Sequence, residues 1–134
     1  MRLFQTLTTA LLLISQTAFA QPEAGLILAG DAERGRLVFA QCRTCHYPEK
    51  IVGHNNGPNL ANLFGRKAGS QPGFDYYSED LKNSGIVWSP AILNAWLANP
   101  RTFLPNTTMV TLGVPDEQQR ADLIAYLRLF EGQP

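Results

Sequence analysis

The pentapeptide Cys42-Arg43-Thr44-Cys45-His46 is the stretch that decides the fold of this 134-residue chain. Its two thiols stand three residues apart, so they lie on one side of a helical turn and can both reach one edge of a porphyrin. The next residue, His46, then directs an imidazole at a metal in the ring. This spacing is the attachment pattern of a covalent c-type haem, and it predicts Cys42 and Cys45 as thioether donors and His46 as an iron ligand.

Other sites use the same two thiols. A thioredoxin-like redox pair needs Cys-x-x-Cys but not the histidine that follows it here. A zinc site needs more soft ligands than Cys42, Cys45, His46 and the distant His54 supply. Since these are the only two cysteines in the chain, a structural disulfide would have to join them to each other. Haem attachment is the interpretation that uses all three motif residues.

The first twenty residues have the pattern of a secretory signal peptide. Arg2 gives a positive start, the apolar stretch is densest at 10–14, and Ala18-Phe19-Ala20 is a small-x-small cleavage pattern. A membrane anchor needs about 20 predominantly apolar residues, whereas polar residues interrupt this run. We therefore expect cleavage after Ala20, no stable membrane insertion and a periplasmic location. Bacteria attach haem covalently on that outer side of the cytoplasmic membrane, so the leader and the motif support each other.

Length and charge limit the number of domains and the kinds of partner that the exported chain can have. Cleavage would leave 114 residues, which is one small domain with a modest core. We expect a short mobile lead-in at 21–30 and one domain at 31–134. Without Arg2, ten basic and eleven acidic residues remain. No basic patch of the kind that a phosphate backbone requires is present, so nucleic acid is excluded as a partner.

The remaining pattern predicts an all-α fold with long loops. Proline and glycine are frequent in 47–75, which indicates a loop with at most one helical turn near 60–64. A loop this long needs something to wrap around, and a cofactor is the natural candidate. A second loop is expected over 101–115, after Pro100. The predicted helices run from the N-cap Asp31 to about Cys42, from Ser89-Pro90 to about Asn99, and from about Asp116 to about Phe130.

Candidates for a second iron ligand are few. After the leader, the chain contains one other histidine, His54, and one methionine, Met109. His54 follows His46 closely on the same side of the ring, so we expect it to be a structural imidazole bonded to a backbone carbonyl. An isolated methionine is most often core filler. Met109, however, lies among polar loop residues between two predicted helices and is free to close over the opposite face.

Further segments extend the pattern in a recognisable order. They are Gly57-Pro58-Asn59-Leu60, Leu63-Phe64-Gly65-Arg66, Gly73-Phe74-Asp75-Tyr76, Gly85-Ile86-Val87-Trp88, Asn99-Pro100, Pro105-Asn106-Thr107-Thr108-Met109 and Asp122-Leu123-Ile124-Ala125-Tyr126-Leu127. Together with the pentapeptide, they resemble the class I cytochrome c family, and within it the mitochondrial-like and cytochrome c2-like members. The resemblance covers about residues 30–130, and several segments in order are more specific than any one alone.

The resemblance implies a fold and a set of roles. Terminal helices would cross, and long loops would wrap around one covalently bound haem c. Met109 would be the iron ligand opposite His46, and Thr107 would belong to the same haem-binding segment. Pro58 would lie next to His46, where the carbonyl region before the proline would accept the imidazole N–H.

Other positions are implied around the propionates and the helix crossing. Arg66, Tyr76 and Trp88 would lie near the buried haem propionates, whose charge their donors would offset. The residues implied at the crossing of the terminal helices are Gly35, Phe39, Leu123 and Tyr126.

The chain also departs from the family pattern. One extra residue between Tyr76 and Gly85 leaves open whether Asp80 or Leu81 faces the haem. Trp96 stands where many relatives have a tyrosine. The ring of lysines around the haem edge in mitochondrial members is largely missing, so we expect apolar and neutral groups around Cys42 and Cys45 to carry more of the recognition of the redox partner. The lysines of the whole chain are Lys50, Lys67 and Lys82.

The function that the resemblance implies is electron transfer rather than catalysis. We expect a soluble, periplasmic, monomeric carrier of one haem that cycles between Fe(III) and Fe(II). Its donor would be a quinol–cytochrome c reductase or a dehydrogenase, and its acceptor an oxidase, a reductase or a photosynthetic centre. One alternative is a dedicated cytochrome subunit of a periplasmic dehydrogenase complex. Another is a haem enzyme or gas-binding protein, which would need an open iron position.

Overall fold

The computed structural model describes residues 28–134, and within them the fold is all-α, as predicted. Its helices are α1 (Ala32–Phe39), α2 (Glu79–Asn83), α3 (Pro90–Ala98), α4 (Pro100–Phe103) and α5 (Glu117–Arg128), with a 3-10 turn at Lys50–Val52. The described part of the chain has no strand, only an isolated antiparallel bridge between Lys67 and Val87. None of its helices is long and apolar enough to cross a membrane. The predicted signal peptide lies outside the described residues.

The first and last helices cross at close range, and glycine makes this possible. A Cβ at Gly35 would lie 1.9 Å from the backbone oxygen of Asp122 and 2.8 Å from the Cβ of Tyr126. Four residues after Gly35, the ring of Phe39 packs against Tyr126 with 5.3 Å between centroids. Leu123 is 1% exposed in the same core. The contact predicted for the terminal helices is therefore confirmed.

A buried carboxylate joins the two helices beside this crossing. Asp122 is 2% exposed. It accepts hydrogen bonds from Arg34 Nε (2.8 Å) and Nη2 (2.9 Å), from the Asp31 N–H (2.8 Å) and from Gln118 Nε2 (3.0 Å). The bonds from Arg34 hold the pKa of Asp122 well below its usual range, against the opposing effect of burial. The N-cap of α1 is thus tied directly to α5.

Contacts with α5 extend to two residues that precede the N-cap of α1. A Cβ at Gly30 would lie 2.1 Å from the Ala121 backbone oxygen, and the carbonyl of Ala29 accepts a hydrogen bond from Gln118 Nε2 at 2.9 Å. These two residues belong to the predicted lead-in 21–30, and both contact α5. Residues 21–27 of the lead-in lie outside the described residues.

The middle of the chain contains two short helices that the sequence did not predict. Ser89 caps α3 and accepts from Ile92 N–H (3.2 Å), as expected. Asn99 then ends α3 and caps α4 through Thr102 N–H (3.0 Å), with Pro100 in the first helical turn. Pro100 therefore ends one helix and begins another, so the predicted loop starts after Phe103. Pro lacks an N–H and suits a helix start.

The first predicted loop is held by backbone pairing rather than by helices. Gly65 N–H donates to the Trp88 carbonyl (2.8 Å), Trp88 N–H to the Arg66 carbonyl (2.9 Å), and Ala68 N–H to the Ile86 carbonyl (2.8 Å). These bonds bring 65–68 beside 86–88, which are far apart in sequence. This pairing places Ala68 and Trp88 in the core.

Candidate haem site

The attachment motif forms a tight turn directly after α1. Cys42 N–H donates to the Phe39 carbonyl (2.8 Å), and Cys45 and His46 N–H both donate to the Cys42 carbonyl, at 3.0 and 2.9 Å. Both cysteines are half-buried and free. The turn therefore delivers two thiols and an imidazole from one short stretch.

The pKa of the Cys42 thiol distinguishes a haem-attachment site from a thioredoxin-like redox site. Burial, with a smaller effect from the charge of Cys45, raises the pKa of Cys42 to about 11. Thioredoxin-like proteins need the opposite, a thiolate at neutral pH. The zinc alternative also lacks support, because no group of three or more histidine, cysteine or acidic residues that could hold a metal ion occurs within 28–134.

His46 is held in the form that can ligate iron. Its Nδ1 lies 2.8 Å from the carbonyl oxygen of Pro58. Because a carbonyl only accepts, Nδ1 carries the proton and Nε2 keeps its lone pair. Burial lowers the pKa of His46 against the opposing effect of the Pro58 bond, and so favours the neutral imidazole. The acceptor is the carbonyl of Pro58 itself, not the one before it.

Gly57 supports the same ring in a way that the sequence analysis missed. A Cβ at this position would lie 2.3 Å from Cε1 of His46 and within 2.8 Å of both ring nitrogens. Gly57 N–H also donates to the Cys45 carbonyl at 2.8 Å. Only glycine fits between this backbone and the imidazole, and the signal available in the sequence was its place directly before Pro58.

His54 is a structural residue, as predicted. Its Nδ1 accepts from the Asn59 N–H at 3.0 Å, and its Nε2 donates to the carbonyl of Pro72 at 2.9 Å. With both nitrogens occupied, His54 has no lone pair for a metal. It instead joins two parts of the long loop, and it packs against Phe74 with 5.6 Å between ring centroids.

Met109 lies half-buried against the core in a segment that we call the ligand loop, residues 104–115. Its N–H donates to Oγ1 of Thr107 at 3.2 Å, and Thr107 is 9% exposed. The loop is also tied to the region before and within α2. Thr108 Oγ1 donates to the Tyr76 carbonyl (3.2 Å), and Asn106 Nδ2 donates to Asp80 Oδ2 (2.7 Å).

Arg66 is a half-buried cation whose hydrogen-bond partners are all neutral. Its Nη1 donates to the Ala61 carbonyl (2.9 Å) and to Oε1 of Gln71, and its Nη2 donates to the Asn59 carbonyl (3.3 Å). Burial lowers the pKa of Arg66. A cation without a bonded carboxylate suits a place where an anionic group is to be received.

The tyrosine in this environment is Tyr77 rather than Tyr76. Burial raises the pKa of Tyr77, and the charge of Arg66 opposes that effect. Tyr76, which we expected beside the propionates, is 80% exposed. Both rings touch Phe74, at centroid distances of 5.0 Å for Tyr77 and 5.7 Å for Tyr76. In an irregular loop no periodicity indicates which of two adjacent side chains turns inward.

Other positions are settled by burial. Leu81 is 8% exposed and belongs to the core, whereas Asp80 is exposed and bonded to Asn106, so Leu81 is the inward residue of α2. Trp88, 8% exposed, meets Trp96 edge to face at 5.6 Å. Trp96 is 4% exposed and also meets Phe103, at 5.8 Å, so its indole fills the core.

The groups present fit a covalent haem. Two free thiols three residues apart suit thioether bonds, and an imidazole with a free Nε2 and a thioether are suitable axial ligands. The half-buried cation of Arg66 suits the propionates.

The comparisons decide the family. Residues 32–130 match the family model described as Cytochrome c. The chain belongs to the cytochrome c family. A cytochrome c2 of Rhodomicrobium vannielii is 44% identical over 110 residues, which cover 82% of this chain and 87% of the relative. A cytochrome c of Theileria annulata is 46% identical over 112 residues, with coverage of 81% and 95%.

A solved structure supports the same assignment. Cytochrome cH from Methylobacterium extorquens matches with a TM-score of 0.69 and 40% identity, over 75% of this chain and 99% of that one. The predicted family and class I cytochrome c fold are therefore confirmed. So is the predicted cofactor, one covalently bound haem c, and so is the class of function, since cytochromes c are electron carriers rather than enzymes. The alternative of a haem enzyme is not supported.

Proposed function

We propose that this protein is a periplasmic electron carrier whose haem is attached through Cys42 and Cys45, with His46 and Met109 as axial ligands. The observation that carries the proposal is the bond from His46 Nδ1 to the Pro58 carbonyl, which leaves Nε2 free beside two thiols. When bound, the haem supplies the one-electron Fe(III)/Fe(II) couple. The predicted leader and the domain boundary at residue 31 belong to the same proposal.

The chain's own residues would tune that couple from two sides. The Pro58 carbonyl holds the proton on Nδ1 of His46, which fixes the ring and makes Nε2 a better electron donor. On the other side, Thr107 holds the N–H of Met109, and a thioether ligand favours the reduced iron. Since neither ligand needs to leave during electron transfer, the atoms move little and exchange is fast.

The propionate side would be served by Arg66, Trp88 and Tyr77. Arg66 is already partly desolvated and bonded only to neutral acceptors, so an incoming carboxylate gains a charge partner without first breaking an ion pair. Trp88 is buried at the adjacent bridge to 66–68. Tyr77 replaces Tyr76 in this role.

Recognition of the redox partner would depend weakly on charge. Arg43 pairs with Glu49 at 3.0 Å, and Lys82 pairs with Glu79 at 2.9 Å, so two of the cations are already neutralised within the chain. In the ligand loop, Val110 is 82% exposed and Leu112 is 91% exposed. We call these two side chains the apolar ridge. Its position directly after Met109 makes it a docking surface for a partner with an apolar face.

The donor would be a quinol–cytochrome c reductase or a dehydrogenase, and the acceptor an oxidase, a reductase or a photosynthetic centre. A second candidate is a dedicated subunit of a dehydrogenase complex. The apolar ridge favours it, since permanent interfaces are more apolar than transient ones. Purification of the tagged protein from its source at low and high salt separates the two: a free carrier elutes as a monomer in both.

Haem staining after denaturing electrophoresis tests the attachment. The wild-type protein from the periplasmic fraction is expected to keep a haem band at the size of the processed chain. The double variant Cys42→Ala, Cys45→Ala is expected to lose it, and Cys42→Ala alone to keep a weaker band through one thioether. A denaturant-stable band in the double variant would refute the proposed attachment.

A further inference from the structure

Helix α5 contains a buried arginine that the haem site does not use. Arg120 is 9% exposed. Its Nε donates to Oδ1 of Asn94 on α3 at 2.7 Å, and its Nη1 donates to the carbonyls of Val114 (2.9 Å) and Pro115 (2.7 Å). All three acceptors are neutral. Burying a cation is costly unless its donors are satisfied. The question is therefore which part of the fold these three hydrogen bonds hold in place.

What Arg120 holds is the end of the ligand loop. Val114 N–H donates to the Leu97 carbonyl at 2.7 Å, and a Cβ at Gly113 would lie 2.6 Å from the same oxygen. This end of the loop therefore lies against the last turn of α3. Arg120 secures it from the other side by binding the two carbonyls that follow.

The other end of the loop is fixed separately. Thr107 is buried, its N–H donates to the Leu104 carbonyl (3.0 Å), and its hydroxyl receives the N–H of Met109. Between Thr107 and Val114, Met109 packs against the core while Val110 and Leu112 are exposed. The free span that carries Met109 is thus short, and Arg120 holds its far end together with the bond from Val114 N–H to the Leu97 carbonyl.

We propose that Arg120 is a positioning residue for Met109. By holding the carbonyls of Val114 and Pro115, it limits how far the thioether can withdraw from the iron. Without it, the carbonyls of Val114 and Pro115 lose their donor, and the bond from Val114 N–H to the Leu97 carbonyl is left to hold this end of the loop alone. A more weakly held end gives the span that carries Met109 more conformations, which makes the closed position of Met109 less favourable. The inference rests on the proposed ligation by Met109.

The test compares Arg120→Gln with Arg34→Gln in the haem-loaded protein. Arg34 also holds α5 by hydrogen bonds, but it lies on α1 and bonds to Asp122 at the crossing of the two helices, away from the ligand loop. Carbon monoxide affinity of the reduced protein reports how easily Met109 leaves, and denaturant unfolding reports stability. Arg120→Gln is expected to raise carbon monoxide affinity about tenfold, which corresponds to the loss of one or two hydrogen bonds. It is also expected to weaken the red-edge band, the weak charge-transfer absorption from methionine sulfur to iron at the red end of the visible spectrum of the oxidised protein. Arg34→Gln is expected to lose stability with wild-type affinity.

Two further variants keep the test decisive. Arg120→Lys retains the charge but not the planar fork, so its carbon monoxide affinity is expected to lie between those of wild type and Arg120→Gln. If Arg120→Gln does not accumulate, Asn94→Ala removes only the acceptor of Nε, and a smaller rise in affinity is expected. Destabilisation without any change in carbon monoxide affinity or in the band would overturn the positioning role. Failure of Met109 ligation itself would show in the wild type, which would lack the band and bind carbon monoxide freely.

Discussion

The α1–α5 crossing and the ligand loop are held in place in different ways. At the crossing, backbone meets backbone at Gly35, and Asp122 is buried with four donors around it. The ligand loop has fixed ends, whereas Val110 and Leu112 between them are exposed. The crossing therefore depends on close backbone packing and one buried charge, whereas the middle of the ligand loop is open to solvent.

The largest expected effect is at the crossing itself. Gly35→Ala places a Cβ 1.9 Å from the Asp122 carbonyl oxygen, so the helices must separate. We expect a loss of about 3 kcal/mol or more in the free energy of unfolding. The control is Gly132→Ala, where φ is +71° but no atom lies within 4 Å of the new Cβ. It should cost about 1 kcal/mol from backbone strain alone. Equal losses in the two variants would show that the close approach does not matter.

Asp122→Asn should have the next largest effect on stability. It removes a buried charge that Arg34 pairs with, at an expected cost of about 1–3 kcal/mol in urea unfolding at neutral pH. The control, Glu79→Gln, breaks the exposed pair with Lys82 and should cost less than about 0.5 kcal/mol.

The same carboxylate predicts a pH dependence. Because the pKa of Asp122 is lower in the folded than in the unfolded protein, its contribution is fully present above the unfolded value and is lost as pH falls below it. The stability difference between wild type and Asp122→Asn should therefore shrink below about pH 4. A difference that stays constant from pH 7 to pH 3 would contradict the assigned pairing.

In the ligand loop, a change should affect the iron more than the fold. Met109→Ala is expected to lose the red-edge band of the oxidised protein, to gain carbon monoxide binding when reduced, and to drop in potential by a sizeable part of the roughly 0.8 V range that axial ligands span. Its loss of stability should be smaller than that of Gly35→Ala. Persistence of the band in the variant would mean that another group supplies the ligand.

The smallest effect on stability is expected at the apolar ridge. Val110→Ser with Leu112→Ser should leave unfolding unchanged within about 0.5 kcal/mol but slow electron exchange several-fold at a gold electrode coated with a methyl-terminated monolayer. Ile51→Ser with Val52→Ser, which removes exposed apolar groups on the 3-10 turn, is the matched control and should exchange at the wild-type rate.

The rate of electron transfer from the wild-type protein to its native partner should change only a few-fold with ionic strength. A steep fall in this rate as the salt concentration rises would show instead that charged groups steer the docking.

Local patterns were sufficient for the parts of the protein that are set by neighbouring residues. The caps at Asp31, Ser89 and Asp116 each bond the N–H three residues on, as their sequence positions indicated. The short helices α2 and α4 were missed, because five and four residues are too few to show a period. Helix α5 was predicted to reach about Phe130 and ends at Arg128, within the usual uncertainty of helix ends.

The sequence by itself determined the attachment motif, the all-α class and the structural role of His54, because each depends on residue type and short spacing. Only the tertiary structure decided that Tyr77 and not Tyr76 accompanies Arg66, that Leu81 and not Asp80 turns inward, and that Pro58 supplies its own carbonyl to His46. It also revealed Arg120 as the residue that holds the end of the ligand loop. The physical reason is that these choices lie in irregular segments, where the direction of a side chain is set by packing against residues distant in the chain rather than by any repeat along it.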